Sequence, residues 1–260
     1  MKLIHKLLAG FLVIILLIWA TGYLATYLSR KALKISIEEN SIMLARETLN
    51  KIDRNIYNWI EKMQGYAKYL SDKDEFLSLN RKFDNIDNVQ AYINKQDKAW
   101  IAVSKETITP FMQELINNEL STKIKNELYL KEFYEKEYGY QVFGEIFVTN
   151  KYGANIAQTG KTSDYYQADE KWWQTAKNDG IYIGDVSYDE SSDTRSIDIG
   201  IRIDDEKGNF LGVIEGVLNI EGVRQILNEV QANSGNVHET NRGNKNESLN
   251  VFNIGVLSKN

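Results

Sequence analysis

The chain contains no cysteine, a single proline and two histidines. Without cysteine it has no disulfide and no thiolate metal site. His5 precedes an apolar N-terminal stretch and His238 sits in a polar tail. A histidine metal centre or a Ser-His-Asp triad therefore has almost nothing to draw on. No nucleophile stands beside a base, so the sequence predicts a protein that is not an enzyme, with no catalytic residues, no cofactor and no metal ligands. Clustered basic residues are missing too, and the net charge is −5. That balance argues against a nucleic-acid partner, because a phosphate-binding surface needs grouped Lys and Arg.

What is present begins with an uncharged run from Leu7 to Leu28. At 1.5 Å per residue it spans about 33 Å, close to the thickness of a bilayer core. Trp19, Tyr23 and Tyr27 lie toward one end of it, where amphipathic rings favour the headgroup region. A cleaved leader has a shorter apolar region followed by a small-residue cleavage site, so the run reads as a retained anchor, with the membrane as partner. Lys2 and Lys6 stand before it and Arg30, Lys31 and Lys34 after it. That balance leaves orientation undecided by charge.

Neither Pro nor Gly interrupts positions 29–64. Ile42, Ala45, Leu49, Ile52, Ile56, Trp59, Met63, Tyr66 and Leu70 recur in steps of three and four, the signature of one helical face. One helix is expected to run to about Ser71. Its stripe fits packing on the protein's own domain and equally a homodimer seam, and both can hold over different parts. Residues 72–138 read as a helical scaffold, with Ile86–Ser104 and Pro110–Glu137 as the better helices; Pro110 suits a first turn. From Tyr140 the pattern changes to strands over Val142–Thr149, Ala154–Thr159, Ile181–Tyr188, Arg195–Ile203 and Phe210–Leu218, with a short helix over 169–178. In IDIGIRI the isoleucines share one face and Asp198, Gly200 and Arg202 the other. A helix is expected over Glu221–Gln231. The fold class is therefore α+β: an N-terminal transmembrane helix, a long membrane-proximal helix, and a five-stranded antiparallel sheet with flanking helices. The corresponding domains are an anchor (1–28), a helical scaffold (29–138), a sheet (139–231) and a polar tail (232–260) whose composition predicts disorder.

Two motifs fail on spacing. Gly160-Lys161-Thr162 ends like a phosphate-binding loop, but Asn155 stands where that loop needs glycine. The acidic run Asp185, Asp189, Glu190, Asp193 lacks the alternation and central glycine of a calcium loop.

The order of these parts, from the span through YYQADEKWW at 165–173 to GNFLGVIEGVLNI, resembles the Cache (PAS-like, PDC) sensor domains. These are the extracytoplasmic ligand-binding domains of bacterial and archaeal chemoreceptors, sensor histidine kinases and cyclic-di-nucleotide enzymes. The likeness covers roughly residues 7–230. It implies a PAS-like sheet and a sensor of small molecules in signal transduction or chemotaxis, carried on a single-pass protein of the inner cell membrane with its globule outside. The amino-acid-binding branch reads Tyr-x4-Arg-x-Trp-Tyr, a later Tyr-x-Asp, and an Asp near the end of the last strand. Tyr165, Trp172, Trp173 and Tyr188 match the aromatic positions, with Asp189 beside them. Glu170 stands at the Arg position, Glu190 at the first Asp and Val217 at the final Asp. Arg grips a carboxylate with two parallel bonds, whereas Glu170 repels it and Val217 cannot receive an ammonium. The expected ligand is therefore an amine or neutral compound rather than a free amino acid, held by Tyr165, Glu170, Trp172, Trp173, Tyr188, Asp189 and Glu190 through cation–π and charge-assisted contacts. No second span or output domain is legible after Gln231, which implies a truncated receptor; a dimerisation or interaction module without a small ligand is the alternative.

Overall fold

The computed structural model describes residues 3–189 and 194–239. Helix α1 runs from Leu3 to Ser71 as one element, as the unbroken 29–64 stretch predicts. It includes a stretch long and apolar enough to cross a membrane, none of it buried. Its stripe divides in two. Met63, Tyr66 and Leu70 are buried in the core, where Ile60 and Ala67 join them from outside the stripe, whereas Ile42 and Leu49 are exposed.

The scaffold comprises α2 (Asp74–Asp84), α3 (Val89–Ile101), α4 (Pro110–Asn117), α5 (Glu119–Ile124), a π-helical turn (Lys125–Tyr129) and α6 (Lys131–Tyr138). The single helix expected over 110–137 is thus broken, and side chains explain where. The Asn118 side chain accepts from Ser121 N at 2.8 Å, capping α5, and donates to Ile156 O at 2.7 Å. Such a cap offers the backbone an alternative to continuing α4. After the π turn, Leu130 takes a left-handed conformation with φ 39°, which re-aims α6.

Among the described residues six strands form one antiparallel sheet: β1 (Phe143–Thr149), β2 (Asn155–Gln158), β3 (Ile181–Ile183), β4 (Ser187–Asp189), β5 (Thr194–Asp204) and β6 (Phe210–Asn219). Their order is β2-β1-β6-β5-β3, with β4 also on β5. The expected strand Ile181–Tyr188 is two pieces, so six strands replace five. The 11-residue β5 offers its edge to both pieces, and Gly184 N bonds Asp198 O at 2.8 Å between them. Helix α7 (Lys171–Asp179) precedes β3, and α8 (Glu221–Glu239) follows β6. The latter runs eight residues beyond its expected end at Gln231; the rest of the polar tail, 240–260, lies outside the described residues, as does Glu190.

The two faces of the sheet carry different layers. Ile197, Ile199, Ile201, Ile203, Ile214 and Leu218 join Ile60 and Met63 of α1 in the main core. On the other face Trp173 and Ala176 of α7 pack with Val213, alongside Trp172, Tyr182 and Phe210. Two glycines bring the layers close. A Cβ on Gly216 would stand 2.8 Å from Met63 Cε, and one on Gly200 would stand 3.2 Å from the Trp172 ring.

Candidate functional site

The α7 face of the sheet carries a cleft of about 570 Å³, a size typical of small-ligand sites. Register decides which strand residues reach it. Phe147 pairs with Glu215 and with Gln158, and Glu215 pairs with Gly200; in the next row Asp198 pairs with Val217. Paired residues share a face. Glu145, Phe147, Glu215, Val217 and Asp198 accordingly form the floor. Glu145, Glu215 and Asp198 thus surround Val217 on three adjacent strands.

The upper wall is the segment 161–170, which supplies Lys161, Thr162, Ser163, Asp164, Gln167 and Glu170, followed by Trp172 on α7. Helix α3 holds this wall. Asp97 Oδ1 accepts from the backbone N–H of Tyr165 at 3.0 Å and of Tyr166 at 3.1 Å, and Trp100 Nε1 donates to Thr162 O at 2.9 Å. From the sheet side, Asn155 Nδ2 donates to Thr162 Oγ1 and Asp164 O. Gln167 N bonds Gly153 O at 2.8 Å. Lys161 Nζ donates to Ser104 O at 2.6 Å and Thr107 O at 3.2 Å, tying down the turn beyond α3.

The electrostatic character follows from the lining. Five carboxylates (Glu145, Asp164, Glu170, Asp198 and Glu215) face two ammonium groups, Lys105 and Lys161. Asp164 reports the crowding. Burial, then Asp97, Glu170 and Asp169, raise its pKa to about 6, against a smaller opposing effect from the Gln167 amide. Folded chains therefore hold this proton up to about pH 6, whereas unfolded ones release it near the ordinary carboxylate value of about 3.9. The folded state binds more protons between these values, so stability falls as pH rises through that window. The contribution is on the order of 1 kcal/mol once solvent screening is allowed for. Melting temperatures recorded from pH 4 to pH 7 are expected to decline less steeply in Asp164→Asn than in the parent; equal slopes would exclude Asp164 as the cause.

Of the residues singled out from sequence, Glu170 and Trp172 line the cleft, and Val217 lies on its floor. Tyr165 is buried behind the wall, stacked on Trp100 with ring centroids 5.8 Å apart and set edge-on to Phe111 at 5.3 Å. Trp173 points into the sheet beneath α7, where its Nε1 donates to Thr149 Oγ1 at 2.8 Å. Tyr188, on β4, is 56% exposed and is not among the described residues lining the cleft. Asp189 ends β4, its backbone paired with Thr194. The structure thus brings Glu170 and Trp172 together with residues that sequence reasoning passed over: Trp100, Glu145, Phe147, Asp164, Asp198 and Glu215. A signal for Glu215 was available. It is a lone carboxylate inside the otherwise apolar strand FLGVIEGVLN and is only 5% exposed. Among the described residues no group of three or more His, Asp or Glu side chains is placed to hold a metal ion.

No protein-family model matches the chain, and no curated protein matches it. Solved structures do, at low identity, and they are chemoreceptor and histidine-kinase sensor domains, the class that the residue pattern resembles. One is the ligand-binding domain of the Pseudomonas aeruginosa PAO1 amino acid chemoreceptor PctC in complex with GABA, at 10% identity and TM-score 0.32, with 68% of this chain and 66% of that one covered. Another is the sensory domain of the Campylobacter jejuni chemoreceptor Tlp3, at 14% identity and TM-score 0.31, covering 65% and 66%. The sensor domain of the V. cholerae histidine kinase DctB matches at 14% identity and TM-score 0.31, covering 59% and 58%. The chain spans 66% or less of the length of these three domains. At these values the likeness carries no argument about ligand or output.

Proposed function

We propose that this protein is a membrane-anchored extracytoplasmic sensor whose cleft receives an amine or a neutral small molecule. In this reading 1–28 is a single transmembrane anchor in the inner membrane, 29–138 the helical scaffold, 139–231 the PAS-like ligand-binding sheet and 232–260 a polar tail. The observation that carries it is the two-sided use of one sheet. An acidic, aromatic-walled cleft lies on one face, and the helix bearing the apolar anchor packs on the other. A ligand that shifts Trp172 against β5 acts on the same strands that hold Met63 of α1. Val217 itself offers no acceptor, but carboxylates from three neighbouring strands lie around it beside Lys105, so the floor keeps an acidic character without an Asp at 217. A carboxylate ligand, by contrast, meets five like charges set against two ammonium groups.

Thermal unfolding of the full chain in detergent micelles tests the reading. A ligand at a hundred times its dissociation constant stabilises by about 2.7 kcal/mol, or several degrees for a chain of this size. Small amines are expected to raise the midpoint, simple carboxylates are not, and Trp172→Ala is expected to abolish the amine effect. Stabilisation by carboxylates with none by amines would overturn the proposal. No response to either would favour the second reading, an interaction module, which rests on Ile42 and Leu49 standing exposed one heptad apart on α1.

A further inference from the structure

Two carboxyl groups meet where helix α3 holds the wall of the cleft. Asp97 Oδ1 accepts from the N–H groups of Tyr165 and Tyr166, so it grips the peptide that follows Asp164. The Asp164 carboxyl is itself fixed in the wall. The buried Gln167 amide donates to its Oδ1, and its backbone carbonyl accepts from Asn155 Nδ2 at 3.2 Å and Gln167 Nε2 at 3.3 Å. Asp164 cannot turn toward water without losing the Gln167 bond, and the wall cannot leave α3 without losing Asp97.

The charges around this pair are mostly of one sign. Asp97 faces Asp164 from α3, and Asp169 and Glu170 face it from the wall. The floor of the cleft brings Glu145, Asp198 and Glu215. The ammonium groups are Lys105, from the turn after α3, and Lys161, whose Nζ donates to Ser104 O and Thr107 O. Asp97, Glu170 and Asp169 act on Asp164 more strongly than either. Burial, then those three carboxylates, accordingly favour a proton on Asp164 while the wall is seated. A wall lifted into water removes these causes, and the proton is released at the ordinary carboxylate value. Histidine, the usual side chain for sensing mild acidity, is absent from scaffold and sheet: His5 lies near the start of α1 and His238 near the end of α8.

We propose that the wall is a proton-operated latch on the cleft. With a proton on Asp164, the segment 161–170 stays seated against α3. Without it, Asp164 opposes Asp97, Glu170 and Asp169, and the wall shifts toward a lifted state that takes Glu170 out of the cleft. The seated wall holds the proton more tightly than the lifted one, so opening grows as pH rises from about 4 to about 6 and is level above. The shape of the cleft thus answers to acidity as well as to a ligand. Such a latch regulates the ligand cleft proposed above and presupposes that reading; its test needs no ligand.

Hydrogen exchange of single amides, followed by NMR on the full chain in detergent micelles and corrected for intrinsic rates, measures the opening. The N–H groups of Tyr165, Tyr166 and Gln167 are expected to lose protection roughly 5- to 10-fold between about pH 4 and pH 7. At every pH they should stay less protected than Val213 and Ile214, which are fully buried in β6. Asp164→Asn keeps an acceptor for Gln167 but has no proton to lose, and is expected to flatten the profile. Asp97→Asn keeps an acceptor for the two wall N–H groups while removing the charge, and is expected to shrink the change with the wall still seated. A flat profile in the parent, or an unchanged one in Asp164→Asn, overturns the latch. One protection factor shared by wall and β6 overturns it too, since the wall then opens only with the whole domain. These results leave the ligand reading in place, which falls only on the amine and carboxylate comparison.

Discussion

Gly153→Ala is expected to cost about 3 kcal/mol of folding stability and to impair ligand binding, an effect far beyond what one methyl group usually brings. The residue closes the Asn150–Gly153 turn, its N–H bonded to Asn150 O at 3.0 Å, with φ at +84°. Left-handed backbone alone costs a residue with a Cβ about 1–2 kcal/mol. The new methyl would also stand 2.2 Å from Ala168 Cβ, 2.7 Å from Ala168 N and 2.9 Å from Ala168 Cα. Overpacking of that kind adds about 1–3 kcal/mol, and here the obstacle is backbone that cannot rotate away. Relief requires the 165–170 segment to lift from the turn, breaking the Gln167 N–Gly153 O bond and displacing Glu170. Gly139→Ala is the control. Gly139 shares the positive φ, at +77°, but its methyl would meet nothing within 4 Å. Chemical denaturation of the two variants separates strain from collision. A Gly153→Ala loss no larger than that of Gly139→Ala would show that the turn does not bear on the wall of the cleft.

The adjacent tryptophans are expected to behave as opposites. Trp173→Ala should lower stability by about 3–5 kcal/mol, the usual range for a buried aromatic, and the melting temperature by on the order of 10 °C. Trp173 is 3% exposed, donates to Thr149 Oγ1 and meets Phe210 edge to face at 5.6 Å. Trp173→Phe retains most of the packing and isolates the hydrogen bond, worth about 1 kcal/mol. Trp172 lines the cleft instead, half-buried against Phe147 and Gly200. Its replacement by alanine is expected to leave more than half of the Trp173 loss unspent and to act chiefly on ligand affinity. Comparable destabilisation by both would mean that Trp172 is core as well.

The distinction between these two residues could not be drawn from the sequence, and the reason is general. In a helix start, neighbouring positions point about 100° apart, so WW puts its two rings in different surroundings without saying which is core and which lines the cleft. Long-range periodicity was easier to read. The unbroken 29–64 stretch led to a helix ending at Ser71, and the alternation of IDIGIRI correctly separated the isoleucines from Asp198 and Gly200. What stayed hidden were features set by contacts distant in sequence. Asn118 ends α4 because it reaches Ile156 O, thirty-eight residues away. Asp164 matters because Asp97 of α3 pins the segment beside it. The carboxylate floor exists only once β1, β6 and β5 lie in register; Glu145 and Asp198, read along their own strands, are ordinary polar residues, and only Glu215 stands out as a lone carboxylate in its strand. Of the aromatic and acidic stretch at 165–173, Glu170 and Trp172 lie on the cleft and Tyr165 and Trp173 behind it.

Gly200 and Gly216 occupy neighbouring rungs of the β5–β6 ladder and face opposite ways, one beneath the Trp172 indole and the other beneath the Met63 thioether. At that spot the protein is a single peptide layer thick, like a membrane stretched between two probes. Elsewhere a side chain on either strand would cushion a small push by changing rotamer. Here no side chain is available to yield, and an indole displaced toward the sheet is met on the far side by the long helix α1.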